Sequence, residues 1–273
     1  MKIHKVEEIL SDLEECIIEK KPFSLIRFGD GGLKFIHAML YNDFDQLNQI
    51  IRKEGLTREK LLEIFELWGH YTRNANYIDT PEVYSTEEFW PRLRGPDKPM
   101  NKKTREKFKV WKELYSCAEF DNENYCNPEI NFLSILKRYK KRNILDIIKD
   151  KKICCITTFP EVRDKLSNYD VDIIQIVGHY ENHYQNSFVN TIEAIKEKAN
   201  EYDLFLIAAG ELGRIYSGLI KEKGGRAFDL GFVIEYWIHS DIPIRLQQFL
   251  EVYEHDPLLL TMKEEAKKYE KFI

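Results

Sequence analysis

The sequence predicts an α/β fold, a Rossmann-like and mostly parallel sheet with helices on both faces, and three observations predict it. From residue 152 onward, short apolar runs alternate with amphipathic ones. KICCITTF (152–159), VDIIQIVG (171–178), DLFLIAAG (203–210) and GRAFDLG (225–231) read as strands. PEVRDKLSNY, SFVNTIEAIKEKANEY and ELGRIYSGLIKEKG read as the helices between them. The strands are apolar along their whole length, as strands covered on both faces of a parallel sheet are. Helix punctuation agrees: Pro160 opens the segment after the first of these strands, and Gly224-Gly225 closes the last long helix.

The N-terminal third supplies a helix over 5–20, a buried strand over 23–28 and a second helix over 31–41. From about 44 to 142 helical segments dominate, among them LTREKLLEIFELWGHY and NKKTREKFKVWKELY, separated by the loops DTPEVYST and RGPDKPM. This stretch reads as a helical insertion or subdomain within a single α/β domain spanning 1–273.

Bulk composition narrows the function classes. At 273 residues the chain has ample material for a core, and 43% hydrophobic and 13% aromatic residues exclude a disordered chain. A formal charge of -5 argues against a nucleic-acid partner, because phosphate backbones demand a basic surface. The basic run Lys137 to Arg142 reads as a solvated helix face. Five cysteines without zinc spacing read as reduced thiols, with Cys154 and Cys155 packed inside an apolar run. The N-terminus lacks the apolar core of a signal peptide, and no window has the length to span a bilayer. The expectation is a cytoplasmic protein without a transmembrane segment.

In open parallel sheets, ligands bind beyond the carboxyl ends of the strands. That rule brings RFGDGG (27–32), VGHYENHYQNSF (177–188), AAGELG (208–213) and DLGFVIEY (229–236) to one rim. Each admits a plain reading beside a functional one. In RFGDGG, Arg27 offers the paired donors that suit phosphate, and Asp30 offers a metal or sugar ligand. Asp30 could equally cap the helix that follows. AAGELG opens a helix whose free amides favour an anion, or it is an ordinary strand-to-helix turn. It lacks the G-x-G-x-x-G spacing of a dinucleotide site. His179, Glu181 and His183 would share one face of an extended strand, but not of a loop. Asp229 and Glu235 could serve as a general base, or as a helix cap and an exposed helix residue. No Walker loop, nucleophile elbow, H-E-x-x-H or C-x-x-C pattern is present.

Three of these segments together resemble the GT-D fold glycosyltransferases, a bacterial family. PFSLIRFGDGG resembles the family's S-x-x-R-[FI]-G-D-G-E, QNSFVNTIEAI its N-A-[FY] step, and DLFLIAAGELGRIYSGLIKEKGGRAFDLG its block ending in G-x-x-A-x-D-x-G. The resemblance implies transfer of a sugar, of hexosyltransferase type, from a nucleotide-sugar donor, UDP-linked, to a glycan or glycoprotein acceptor. It implies donor binding by Arg27, Gly29, Gly31, Asn186, Gly210, Glu211 and Gly213, and catalytic roles for Asp30, Glu235 and Asp229. It also implies a divalent metal, Mn²⁺ or Mg²⁺, on an Asp-x-Glu motif. Here Gly32 stands where the glutamate belongs, so Asp30 is the single carboxylate of that motif. Either Asp30 holds metal with water and diphosphate, or Glu235 compensates, or metal is dispensable, or activity is lost.

Two other readings stand beside this one. An S-adenosylmethionine-dependent or other Rossmann-like transferase could use AAGELG for its cofactor and Asp229 for the ribose. A non-catalytic nucleotide-sugar-binding relative is suggested by Gly32. The helical insertion and the C-terminal segment IPIRLQQFLEVYEHDPLLLTM are candidates for an acceptor site or for a contact in a homo-oligomer.

Overall fold

The computed structural model describes residues 2–4, 6–27, 30–79, 124–126, 144–177, 182–231 and 233–234. In chain order they form β1 (Lys2–His4), α1 (Val6–Ile18), β2 (Phe23–Arg27), α2 (Asp30–Tyr41), α3 (Phe44–Glu54), α4 (Arg58–Arg73), β3 (Tyr77–Asp79) and β4 (Asn124–Cys126). There follow α5 (Ile144–Ile148), β5 (Lys152–Thr157), α6 (Val162–Lys165), β6 (Asp170–Gln175), α7 (His183–Lys198) and β7 (Leu204–Ala208). A 3₁₀ turn (Gly210–Leu212) leads into α8 (Gly213–Glu222), and β8 (Arg226–Asp229) closes the described fold.

The eight strands make one sheet in the order β1-β4-β3-β2-β8-β7-β5-β6, and every pair is parallel. Each strand of the later alternation lies where its apolar run predicts it. Between 44 and 142 the helical expectation meets α3 and α4. The same stretch also supplies Tyr77–Asp79 and Asn124–Cys126 to the sheet, so it carries strands as well as helices.

Two apolar cores lie on the two faces. One gathers Ile26, Ile78, Phe205 and Ala227 of the strands with Phe35 and Ile36 of α2, Trp68 of α4 and the inner side of α8. The other gathers Phe23, Leu25, Leu206 and Phe228 with the apolar stripe of α1 (Val6, Ile9, Leu10, Leu13 and Ile17) and with Ile144 and Ile148. Alternate residues of β2 thus serve opposite cores, as the two-residue period of a strand requires. Helix α8 is buried along Gly213 to Ile220, packing across β2, β7 and β8 and against α4. A helix enclosed on all sides is apolar nearly all round, and here only Arg214 and Ser217 break that pattern.

This arrangement fixes where a ligand can enter. After β2 the chain turns to one face, since Phe35 and Ile36 lie in the first core. After β8 it turns to the other, since Val233 and Ile234 lie in the second. Neighbouring strands whose continuations leave on opposite faces define a topological switch point, where a crevice opens at the carboxyl edge.

Candidate functional site

The residues at that crevice are charged. Arg27 ends β2, Asp79 ends β3 and Asp229 ends β8. Arg27 and Asp79 are register partners on adjacent parallel strands, so their side chains project to the same face. Arg27 Nε lies 3.5 Å from Asp79 Oδ2. Asp79 is 1% exposed and Asp229 is 4% exposed, whereas the Arg27 side chain is 24% exposed.

Gly231 forms the other wall. Its φ of +53° is one that glycine adopts without strain. A Cβ there would stand 2.1 Å from Arg27 Nη1, so the guanidinium occupies the space a side chain would need. The amide of Gly231 donates to Asp229 Oδ1 at 3.0 Å. The N-terminus of α8 approaches Asp229 from the first core: a Cβ at Gly213 would lie 3.5 Å from Asp229 Oδ2 and 3.2 Å from Ile207 Cγ2. A glycine here lets the helix end, with its partial positive charge, come close to the carboxylate.

Arg214, in the first turn of α8, is 3% exposed. Its guanidinium carbon sits 4.3 Å from the centre of the Trp68 ring on α4. Its Nη1 donates to the carbonyl of Glu211 at 3.1 Å and to the Glu211 carboxylate. Two arginines and two aspartates therefore lie within electrostatic reach of one another at the switch point, Arg27 and Asp79 from one face of the sheet and Arg214 and Asp229 from the other. Burial pushes the Asp79 carboxyl up to about 7, against the opposing pull of Arg27 and Arg214 and with the added repulsion of Asp229. Burial likewise raises Asp229 to about 6, while Arg27, Arg214 and the amides of Gly231 and Arg27 oppose the rise.

The other predicted residues fall as follows. Gly210 has a φ of +53°, and a Cβ there would meet nothing within 4 Å among the described residues, so the turn after β7 is open on the side they define. Asn186 lies exposed in the first turn of α7, its amide bonded to the carbonyl of Asn182. Asp30, Gly31 and Gly32 begin α2, with their side-chain surroundings outside the described residues. Gly29 and Glu235 lie outside the described residues altogether. His183 is the first residue of α7 rather than part of a strand, and its Nε2 lies 3.2 Å from Tyr216 Oη. Burial lowers it to about 4, so the ring is neutral. His179 and Glu181 lie outside the described residues.

The residues that sequence reasoning missed are Asp79 and Arg214. Among the described residues no group of three or more His, Cys, Asp or Glu side chains could hold a metal ion.

The GT-D fold-like domain model matches residues 4–237. The chain belongs to the GT-D-like family. Both ends of its rim, RFGDGG and DLG, fall inside the matched span. Two solved structures share the GT-D-like chain's fold. A glycosyltransferase described as new, from Streptococcus sanguinis, aligns with a TM-score of 0.54 at 17% identity, over 85% of this chain and 82% of that one. A structure of the domain of unknown function 1792 aligns with a TM-score of 0.51 at 17% identity, over 85% and 79%. Comparison with curated proteins gives no match. No described helix of this GT-D-like chain is long and apolar enough to cross a membrane.

Proposed function

We propose that this GT-D-like chain is a glycosyltransferase of hexosyltransferase type, moving a sugar from a UDP-linked donor to a glycan or glycoprotein acceptor in the cytoplasm. The observation that carries the reading is the arginine pair set among buried carboxylates at the switch-point crevice. Arg27 is the exposed member, and its planar fork suits the donor diphosphate. Among the described residues the space at Gly210 is open, which leaves room for the nucleotide beside the α8 N-terminus.

In direct displacement the acceptor hydroxyl oxygen forms a bond to the anomeric carbon. The bond from that carbon to the diphosphate oxygen breaks, and its electron pair leaves with UDP. The acceptor proton passes to a base. Arg27 opposes the charge that develops on the leaving diphosphate, where fixed positive charge lowers the barrier most. Asp229, raised to about 6, is largely ionised at neutral pH and remains basic enough to take that proton. Glu235 is the alternative base. Metal at Asp30 belongs to this reading as a separate element, tested by activity with and without Mn²⁺.

An S-adenosylmethionine site would use Asp229 for a ribose, whereas the two arginines whose charge reaches it suit an anionic diphosphate. Glycosyl transfer therefore fits the cluster better. The test is release of UDP from UDP-sugars by the full chain, with and without glycan acceptors. We expect R27A to reduce release on the order of 10²-fold or more, the usual loss when one stabiliser of transition-state charge is removed. Equal rates in R27A and the wild type would overturn the reading.

A further inference from the structure

We propose that Asp79 is a positioning residue for Arg27, holding its guanidinium across the mouth of the crevice in the orientation that receives a diphosphate. The inference rests on the donor site proposed above, and it assigns a role to a residue that no motif marks. Three observations carry it. Register pairing places both side chains on one face, with Nε of one 3.5 Å from Oδ2 of the other. Gly231 confines the guanidinium on its far side, because a Cβ there would stand 2.1 Å from Nη1. Arg27 therefore sits between an acceptor and a wall.

The third observation is that Asp79 is costly to keep. It is 1% exposed, and its Oδ1 has no hydrogen-bond partner among the described residues. A buried polar atom without a partner is uncommon in native proteins and requires a reason. Its neighbours on the same face, Tyr77 and Cys126, belong to the apolar core, so an apolar residue would extend that surface. Asp79 is paired with Arg27 and acts through it.

The groups facing Asp79 are Arg27 from β2, Asp229 from β8, Arg214 from α8 and Cys126 from β4. Arg214 also carries the Glu211 carboxylate, so two arginines stand against three carboxylates and the cluster bears one net negative charge when both aspartates are ionised. A diphosphate at Arg27 adds negative charge beside Asp79 and favours its protonated form, whose carbonyl oxygen still accepts from Arg27. Orientation thus needs the acceptor oxygen, while the charge on Asp79 opposes the anion. Ligand affinity should fall as pH rises through the neutral range.

The experiment measures binding of UDP and of inorganic pyrophosphate to the full chain, to D79N and to D79L between pH 6 and 8, with each fold checked by melting. Taking the ratio of variant to wild type at each pH cancels the ligands' own titration. At pH 6 we expect D79L to bind about tenfold more weakly, the loss of roughly one hydrogen bond to a charged group, and D79N to bind like wild type. At pH 8 we expect D79N to bind more tightly than wild type. If D79L does not fold, D79S makes the same prediction, since its shorter side chain withdraws from Arg27. Wild-type affinity for pyrophosphate in D79L, or a D79N ratio constant with pH, would overturn the inference, as would failure of the wild type to bind either probe. Binding of pyrophosphate but not UDP, with the D79L loss intact, would sustain it and sink the UDP-linked donor of the proposed function instead.

Discussion

Asp79 and Asp229 keep their protons to higher pH than exposed carboxyl groups do, because burial disfavours the charged form. Their effect on stability has the opposite sign to that of a salt-bridged surface carboxylate. Above the ordinary value of 3.8 the unfolded chain has released these protons while the native chain retains them. The native state then binds more protons, so stability declines as pH rises. The decline spans 3.8 to about 6 for Asp229 and 3.8 to about 7 for Asp79. Urea unfolding between pH 4.5 and 7.5 should show the wild type losing stability, with a shallower slope in D79N. An equal slope in the two proteins would show that Asp79 does not titrate in this window. Of the four charged residues concerned, Arg27 and Asp229 were legible because each stands beside glycines at the end of a recognisable strand. Asp79 ends a strand of three residues, Tyr77–Asp79, too short for a periodicity. Arg214 reads as the polar side of a helix, and its burial comes from tertiary packing that includes the Trp68 ring of α4.

At the scale of elements, α8 joins the site to the helical segment before it. Gly218 faces α4 so closely that a Cβ would stand 2.2 Å from Tyr71 Cγ. G218A must push α4 away or displace the ring, and Trp68, which supports Arg214, lies on the same helix. We expect a loss of about 1–3 kcal/mol in urea unfolding, the usual cost of overpacking, with the m-value unchanged. G210A is the contrast, since its φ of +53° is strained for alanine but its Cβ meets nothing among the described residues. It should cost about 1–2 kcal/mol from backbone alone. The elements that carry these contacts were largely legible, because β5, β7 and α8 have long apolar patterns bounded by proline or glycine. The three-residue strands β1, β3 and β4 were not. Each is defined by pairing with a partner distant in sequence, and no local pattern of three residues separates a strand from a loop or helix end.

For the molecule as a whole, the all-parallel sheet concentrates every strand's carboxyl end on one rim, so one ligand at the switch point touches elements from both ends of the chain. Arg27 comes from the N-terminal part, and Asp229 and Gly231 from the C-terminal part. Binding there should therefore stabilise the fold globally rather than locally. A ligand that binds only the native state contributes about 2.7 kcal/mol when present at 100 times its dissociation constant. That corresponds to a melting shift of several degrees for a chain of this size. UDP-sugars should raise the melting temperature more than GDP-, dTDP- or CMP-sugars, with S-adenosylmethionine inert. R27A should lose most of the shift. Dependence of the shift on Mn²⁺ that is lost in D30N would show that Asp30 holds metal without a glutamate at position 32. A shift without UDP release under any acceptor condition would mark a relative that binds donor and has lost the chemistry. A shift with S-adenosylmethionine alone would overturn the proposed donor.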